Sequence, residues 1–449
     1  MQKMFIDFVD ESVRSRLVKA VEIARKHKTM HLFTHYDADG MASVSIIRTA
    51  LQRAGIECTY QAFTTLGHRE MESVRNVPAV CFIMTDMGTS FLPEMADYQC
   101  DCVVLDHHQI PDSFDLDQEG KVFVSCWLAG VSGAHDACAS TMAFLFAMAM
   151  DESNFDLATV AVAGMMGDNQ HRPSFSGYNK VIVDEAVSRG LIKTMDSIVP
   201  VGNVYESIMF TIDPYLDGIT GVPDSVRDFL FGLGYNTTSS LKYGDSESAA
   251  RLDEAIIAKL REKSVEEDVI SRLVRKRYYL TDFACDAQLL SDTIDACGRT
   301  DAAAMAMKVI DSRDLMAGRG AYIEFRRQLL AMLFDAIEHM TPLENIRYFM
   351  YSSRGYGGLV SATLIKYWEK SDLPIIALLD AGNEYDISSR CSAEMEKRGI
   401  NMGDAMKATA IANSGEGGGH SNAAGGRIPK DSLAKFLKDI DWTIGMQKQ

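Results

Sequence analysis

Over about the first 170 residues, short apolar runs alternate with helix-period segments, and each run leads into acidic or imidazole groups. His31 to Thr34 runs into His35 and then Asp-Ala-Asp-Gly. Met41, Val44, Ile47, Leu51 and Ala54 next share one helical face, and Gly55 supplies the C-terminal stop. Ile56 to Phe63, Val80 to Met84, Cys102 to Leu105 and Val122 to Leu128 read as further strands. Apolar runs this short, bounded by polar residues, fit parallel strands buried on both faces. Strand alternating with helix predicts an open α/β sheet, whose ligands sit beyond the carboxyl ends of its strands. Those ends carry His35, Asp37 and Asp39, then Asp86, then Asp106, His107 and His108. A helical segment, Leu157 to Met166, runs through Gly167 into Asp168. Four separate segments thus bring acids and imidazoles to one edge of one sheet.

In His-Tyr-Asp-Ala-Asp-Gly (35–40), strand alternation gives His35, Asp37 and Asp39 a common face. Carboxylate oxygens with an imidazole suit Mn²⁺, Mg²⁺ or Fe²⁺ better than a thiolate-bound metal, and Gly40 lets the backbone turn tightly into the helix. The same segment also reads as an Asp-rich turn capping that helix. Asp106, His107 and His108 are costly directly after a buried strand unless they bind something. The alternative is a surface loop with adjacent histidines. Asp86 and Asp168, each taken alone, read as cap or turn residues.

A chain of 449 residues exceeds one core, which predicts two or three domains. Residues from about 195 to 335 are charged and mainly helical in pattern, with an amphipathic helix expected from Asp253 to Tyr279. Inside it, Ser271 to Tyr279 mixes Arg272, Arg275, Lys276 and Arg277 with Tyr278 and Tyr279. That run reads either as a single-strand-binding patch or as an ordinary salt-bridged helix. A second α/β pattern begins near Asn345. Its strands are Arg347 to Tyr351 and Pro374 to Leu379, its helix starts near Leu359, and its tail is glycine-dense from Gly415 to Gly426. The expected parts are residues 1–195, a connecting region 196–335, and a smaller domain 336–449.

The formal net charge of -17 excludes a globally basic nucleic-acid surface, but not a local basic groove or an acidic site offset by metal. Nine cysteines without paired ligand spacing, among them Cys100 and Cys102, read as reduced. The stretch Ala137 to Met150 is too short to span a bilayer. The N-terminal ten residues lack a basic region followed by an apolar run, so no secretory leader is expected. The expectation is a cytoplasmic protein without membrane contacts.

In order and context, Asp37-Ala-Asp39-Gly40, Asp86, Asp106-His107-His108 and Gly167-Asp168 resemble the four N-terminal motifs of the DHH superfamily. At the far end, Gly417-Gly-Gly-His420, followed by Ala423, Ala424 and Gly425, resembles the DHHA1 substrate-binding domain that accompanies them. Ser388, Ser389 and Arg390 resemble its phosphate-contacting segment, and Arg354 to Leu359 its small-residue loop. Two departures stand out: Ser421 replaces a common proline, and the His35-x-Asp37 spacing differs from the pyrophosphatase and oligoribonuclease branches, being closer to RecJ-like nucleases.

The resemblance implies an N-terminal parallel-sheet DHH domain, a helical middle and a smaller C-terminal α/β DHHA1 domain. It implies two Mn²⁺ (or Mg²⁺) ions: His35 and Asp37 holding one, Asp39, His107 and Asp168 the other, and Asp86 bridging. Asp106 is expected to orient His107, and His108 to face the phosphate. Ser389, Arg390, Gly418, Gly419 and His420 are expected to bind substrate through phosphate. The implied activity is a RecJ-like exonuclease on single-stranded DNA or RNA, with replication or repair proteins as partners. Its rivals are a phosphodiesterase of short oligonucleotides or cyclic dinucleotides, and a non-catalytic replication scaffold.

Overall fold

The computed structural model describes residues 5–110, 116–300, 302–368 and 371–448; the first four residues of the segment read for a leader lie outside these. The chain forms two compact units, one of residues 1–196 and 276–323, the other of residues 197–275 and 324–449.

The first unit is built on six strands, β1 (Thr29–His35), β2 (Glu57–Phe63), β3 (Cys81–Thr85), β4 (Asp101–Leu105), β5 (Asp117–Gln118) and β6 (Lys121–Val124), in the order β2-β1-β3-β4-β6-β5. All pairings are parallel except β5 with β6. Every residue of β3 and β6 is buried, as their apolar stretches Cys81 to Met84 and Val122 to Val124 require, and the terminal Thr85 and Lys121 are buried with them. Thr34, Thr85 and Leu105 are register partners, so β1, β3 and β4 deliver the residues that follow them to one level. Strand order reverses between β1 and β3, where open sheets leave a crevice.

One face of the sheet is covered by α1 (Glu11–Arg25), α2 (Ala38–Arg53) and α3 (Ala139–Met150), and α4 (Ala158–Gly167) packs on α2 and α3. Met41, Ile47, Phe144, Phe146 and Val162 are fully buried there, together with Leu290 and Ile294 from the much later α5 (Ala287–Arg299). Phe33, Phe82, Val104 and Phe123 fill the opposite face. Among the described residues no helix is long and apolar enough to cross a membrane. The apolar stretch ending at Met150 is the buried helix α3.

Two expected elements differ. The strand expected to reach Leu128 stops at Val124, because Ser125 caps a 3-10 turn, Cys126–Ala129, by accepting from the Trp127 amide at 3.4 Å. The single helix expected from Asp253 to Tyr279 is instead a helix, Ser246–Glu262, a short turn, Glu267–Ile270, and a strand, Arg275–Leu280. Ser264 breaks the helix at φ 58°. Beyond it, buried Tyr278 and Leu280 flank half-buried Tyr279, the alternation of a strand. The basic-aromatic run therefore forms no exposed helical face.

The second unit carries another six-stranded sheet, β7 (Thr341–Pro342), β8 (Arg347–Tyr351), β9 (Ile375–Asp380), β10 (Glu384–Arg390), β11 (Glu416–His420) and β12 (Ala423–Pro429), ordered β7-β8-β9-β10-β12-β11. Only β8 and β9 pair in parallel. Its helices include α6 (Gly357–Tyr367), α7 (Met402–Ala412) and α8 (Leu433–Gln447). Ile376, Leu378, Ile387, Met406, Phe436 and Ile440 form its core. The glycine-dense tail is a hairpin pairing Gly417 with Gly426 and Gly418 with Gly425. Part of its glycine content serves packing, since a Cβ at Gly417 would stand 2.9 Å from Met406 Cγ.

Candidate metal centre

Strand alternation stops at His35. Asp37 is the N-cap of α2, and its Oδ1 accepts the Gly40 amide at 3.0 Å. Asp39 already lies in the first helical turn, so His35, Asp37 and Asp39 do not share a face but divide between two groups. Donor atoms of His35, Asp37 and Asp86 lie within 4.8 Å of one another, and so do those of Asp39, His107 and Asp168. Asp86 stands between the groups. Its Oδ2 is 3.6 Å from His35 Nδ1, and its Oδ1 is 3.2 Å from His107 Nε2. It takes a left-handed φ of 60°, which aims its carboxyl back across the strand ends. Asp39 is buried against the start of α3, whose Ala139 and Ser140 amides donate to its two oxygens at 2.7 and 2.9 Å. A Cβ at Gly164 would come 2.7 Å from Asp39 Oδ1, which is why α4 needs glycine there.

Charge at this place is unbalanced. Four carboxylates (Asp37, Asp39, Asp86, Asp168) meet two imidazoles (His35, His107). Burial pushes the Asp86 carboxyl up to about 6, and the Asp37 charge adds to it. Burial, then Asp39, drives Asp168 well above the ordinary range. Burial opposes charge on His35, yet hydrogen bonds to Asp37 and Asp86 raise it to about 11. His107 is likewise driven up against its burial by Asp86 and Asp168. A centre with excess buried carboxylate and no thiolate fits divalent cations such as Mn²⁺ or Mg²⁺, whose charge removes the repulsion.

Asp106 is 1% exposed; it accepts the His107 backbone amide at 2.8 Å, but the ring it holds is that of His108 and not that of His107. Its Oδ1 holds His108 Nδ1 at 2.8 Å, and its Oδ2 accepts from the Thr89 amide and hydroxyl at 3.0 and 2.5 Å. Despite burial, these donors keep its carboxyl well below the usual range. Asp106 thus orients His108, which is raised chiefly by this bond and leaves its side chain 59% exposed. The His107 ring is fixed instead by the Gly133 carbonyl, 2.7 Å from Nδ1. A carbonyl accepts only, so Nδ1 carries the proton and Nε2 is free to ligate.

Sequence reading missed three contributors. The Gly133 carbonyl is invisible in sequence, because any residue has one. Gln170, which donates to that carbonyl, and Asn179, which donates to Gln170, show no motif. Asp295 and Arg299 come from the region read as connecting. Arg299 lies 5.9 Å over the Tyr36 ring and is bonded to Asp295 at 2.6 Å, and a Cβ at Gly298 would strike the Tyr36 carbonyl at 2.0 Å. Only the small residue at Gly298, one turn after Ile294, hinted at a close approach.

In the second unit, alternation along β10 puts Tyr385, Ile387 and Ser389 on the core side and Asp386, Ser388 and Arg390 on the other. Ser389 is fully buried and donates to the Ala424 carbonyl at 3.1 Å, so it does not face a substrate as expected. Arg390 is half-buried, with Nη2 3.1 Å from the Cβ position of Gly358 at the start of α6. Register sets Arg390 opposite Ala423 and Ser388 opposite Gly425, with Gly418 and His420 one strand further. Nothing lies within 4 Å of a Cβ at Gly418, whereas one at Gly419 would meet Ala424. Gly418 therefore has open space on its Cβ side, whereas Gly419, at φ 143°, has no room for a side chain beside the neighbouring strand. Asp386, Glu416, Gly417, Gly425, Gly426 and Arg427 line a shallow depression of about 410 Å³ along the same sheet.

An open parallel sheet with acids and histidines at its strand ends, and a separate sheet with a glycine hairpin, define a phosphoesterase class. Residues 29–166 match the N-terminal domain of the DHH family, and residues 352–445 match the DHHA1 domain. The chain belongs to the DHH superfamily of phosphoesterases. An uncharacterized protein of Methanocaldococcus jannaschii is 28% identical over 96% of this chain and 97% of its own length. RecJ of Thermus thermophilus, solved with Mn²⁺, has a TM-score of 0.58 at 16% identity. That likeness covers 97% of this chain, which spans about half (55%) of that RecJ. CDC45 of Entamoeba histolytica has a TM-score of 0.62 at 12% identity, over 97% of this chain and 99% of that one.

Proposed function

We propose that this chain is a metal-dependent exonuclease of the RecJ-like kind, hydrolysing phosphodiester bonds of single-stranded DNA or RNA. Asp86 carries this reading, since its two oxygens face different donor groups, His35 on one side and His107 on the other. That is the position of a bridging ligand, with His35 and Asp37 holding one ion and Asp39, His107 and Asp168 the second. Mn²⁺ (or Mg²⁺) held by these residues would supply Lewis acidity toward a phosphoryl oxygen and would lower the pKa of a water. His108, held by Asp106 and raised above its ordinary range by that bond, donates to a phosphoryl oxygen and stabilises the charge developing on it. Arg390, His420 and the open backbone at Gly418 grip a phosphate away from the reacting bond. The catalytic part lies within residues 1–195 and the substrate-binding part within 336–449, while residues 196–335 divide between the two compact units. A place in DNA repair or replication, in the cytoplasm, follows from that substrate class.

Net charge of -17 favours a second reading, hydrolysis of short oligonucleotides or cyclic dinucleotides, because a long polyanion is repelled by the whole protein. End-labelled single strands of graded length, incubated with Mn²⁺, separate the two. Stepwise shortening of long strands is expected. Cleavage confined to di- and trinucleotides supports the second reading, and no cleavage at any length leaves a non-catalytic scaffold.

Division of labour gives a further prediction. Arg390→Ala and His420→Ala each remove a phosphate contact worth about 1.5–3 kcal/mol, so KM on a long strand should rise about 10–100-fold with kcat nearly unchanged. On a dinucleotide, where that contact is the chief anchor, kcat should fall as well. His108→Ala should instead lower kcat about 10²–10³-fold at every length. Unchanged constants for both C-terminal variants at both lengths would remove the hairpin from substrate binding.

A further inference from the structure

Three buried side chains that no step of the proposed chemistry uses are tied to one side of the metal centre. Gln170 Nε2 donates at 2.8 Å to the Gly133 carbonyl, the oxygen that also fixes His107. Gln170 Oε1 accepts from Asn179 Nδ2 at 2.5 Å, and Asn179 Oδ1 accepts from the Thr141 hydroxyl. Thr141 Oγ1 accepts in turn from the Cys138 amide at 3.2 Å. Cys138 opens α3, whose next two amides hold Asp39. Gln170 also follows Asp168 by two residues, and its own amide returns to the Met165 carbonyl at 3.1 Å, closing the turn that carries Asp168. Gln170, Asn179 and Thr141 are all 2% exposed or less.

The direction of every bond in this network is forced. A backbone carbonyl, which only accepts, stands at one end, and a backbone amide, which only donates, stands at the other. Gln170 must therefore present Nε2 to Gly133, Asn179 must present Nδ2 to Gln170, and Thr141 must donate to Asn179. A buried network of this kind is stable when complete and costly when one member fails, so a change at Thr141 or Gln170 reaches the Gly133 carbonyl. Among the described residues its bonds lead to Asp39, His107 and the Asp168 turn, while Asp37 is held by Gly40 and His35.

We propose that Gln170, Asn179 and Thr141 are positioning residues that set the cation position of Asp39, His107 and Asp168 selectively, a role that rests on the metal-centre reading above. The test is calorimetric titration of the full chain with Mn²⁺. Wild type should bind two ions. Gln170→Met, which keeps the shape but loses both polar ends, should weaken one ion about 10–100-fold, the range for losing a partner that orients a ligand, and leave the other unchanged. Thr141→Val should do the same, and Thr141→Ser, which keeps the hydroxyl, should bind as wild type. If circular dichroism finds Gln170→Met unfolded, the Thr141 pair carries the test. Equal weakening of both ions, no weakening of either, or Thr141→Ser behaving like valine overturns the proposal. A wild-type chain that binds no Mn²⁺ overturns the metal reading itself.

Discussion

Asp86→Asn is expected to leave a folded protein whose turnover with Mn²⁺ is lower by about 10³-fold or more, the effect of losing about 4 kcal/mol of transition-state stabilisation. One carboxylate faces two donor groups, and an amide offers only one acceptor oxygen to them. Asn is the better first variant because residue 86 has φ 60°, a conformation that Asn tolerates and that costs alanine roughly 1–2 kcal/mol. Stability of the metal-free protein should hold. Burial, then the Asp37 charge, raises the Asp86 carboxyl to about 6. A carboxyl whose folded pKa lies above its ordinary value adds stability below that value and loses it as pH rises through about 6. At neutral pH the ionised group therefore opposes folding until a cation arrives, and the uncharged amide removes that opposition. The measurements are kcat with Mn²⁺ and the thermal midpoint with and without it. Wild-type turnover in Asp86→Asn would sink the bridging assignment, and an unfolded variant would sink the electrostatic account of its burial.

What the sequence made legible follows from what kind of group each function needs. His35, Asp86, Asp106, His107 and Asp168 stand next to apolar runs, so their positions at element ends could be read from the break in hydropathy. Ser389 was misplaced because three consecutive strand residues, Ser388 to Arg390, cannot face one side, and the phase of the strand is set by its neighbours in the sheet. Asp106 holds the His108 ring rather than the His107 ring because a second ring nitrogen needs only an acceptor, and Gly133 supplies one from a loop 26 residues away. The strand Arg275–Leu280 was hidden by its charges. Lysine and arginine on a half-buried strand look the same in sequence as those on a helix, and only Tyr278 and Leu280 reveal the period of two. Neither a backbone carbonyl nor a long-range pairing of amide and hydroxyl side chains leaves a pattern in the sequence, and the positioning network around Gln170 is made of both.

Removing metal should have the other large effect. After treatment with a chelator and dialysis, turnover is expected to fall to background, with Mn²⁺ restoring it. The donors of the centre are carboxylate oxygens and imidazole nitrogens, a set suited to Mn²⁺ and, more weakly through its preference for oxygen, to Mg²⁺. The thiol beside Asp39 does not change this. Cys138 Sγ lies 3.1 Å from Asp39 Oδ1, and burial, reinforced by the Asp39 charge, drives its pKa well above that of an ordinary thiol. It stays protonated and donates to Asp39 instead of competing for the ion. Thermal stability gives a readout independent of turnover. A cation that binds only the folded chain, present at a hundredfold over its Kd, adds about 2.7 kcal/mol per site, and here it also cancels the repulsion among Asp37, Asp39, Asp86 and Asp168. The midpoint of unfolding should therefore rise on adding Mn²⁺ to the stripped protein, and by less in Asp86→Asn, where that carboxylate no longer binds. Full activity in the stripped protein would contradict a metal-dependent mechanism. Restored activity with no change in midpoint would mean that the ions act on the substrate and are not held by these residues.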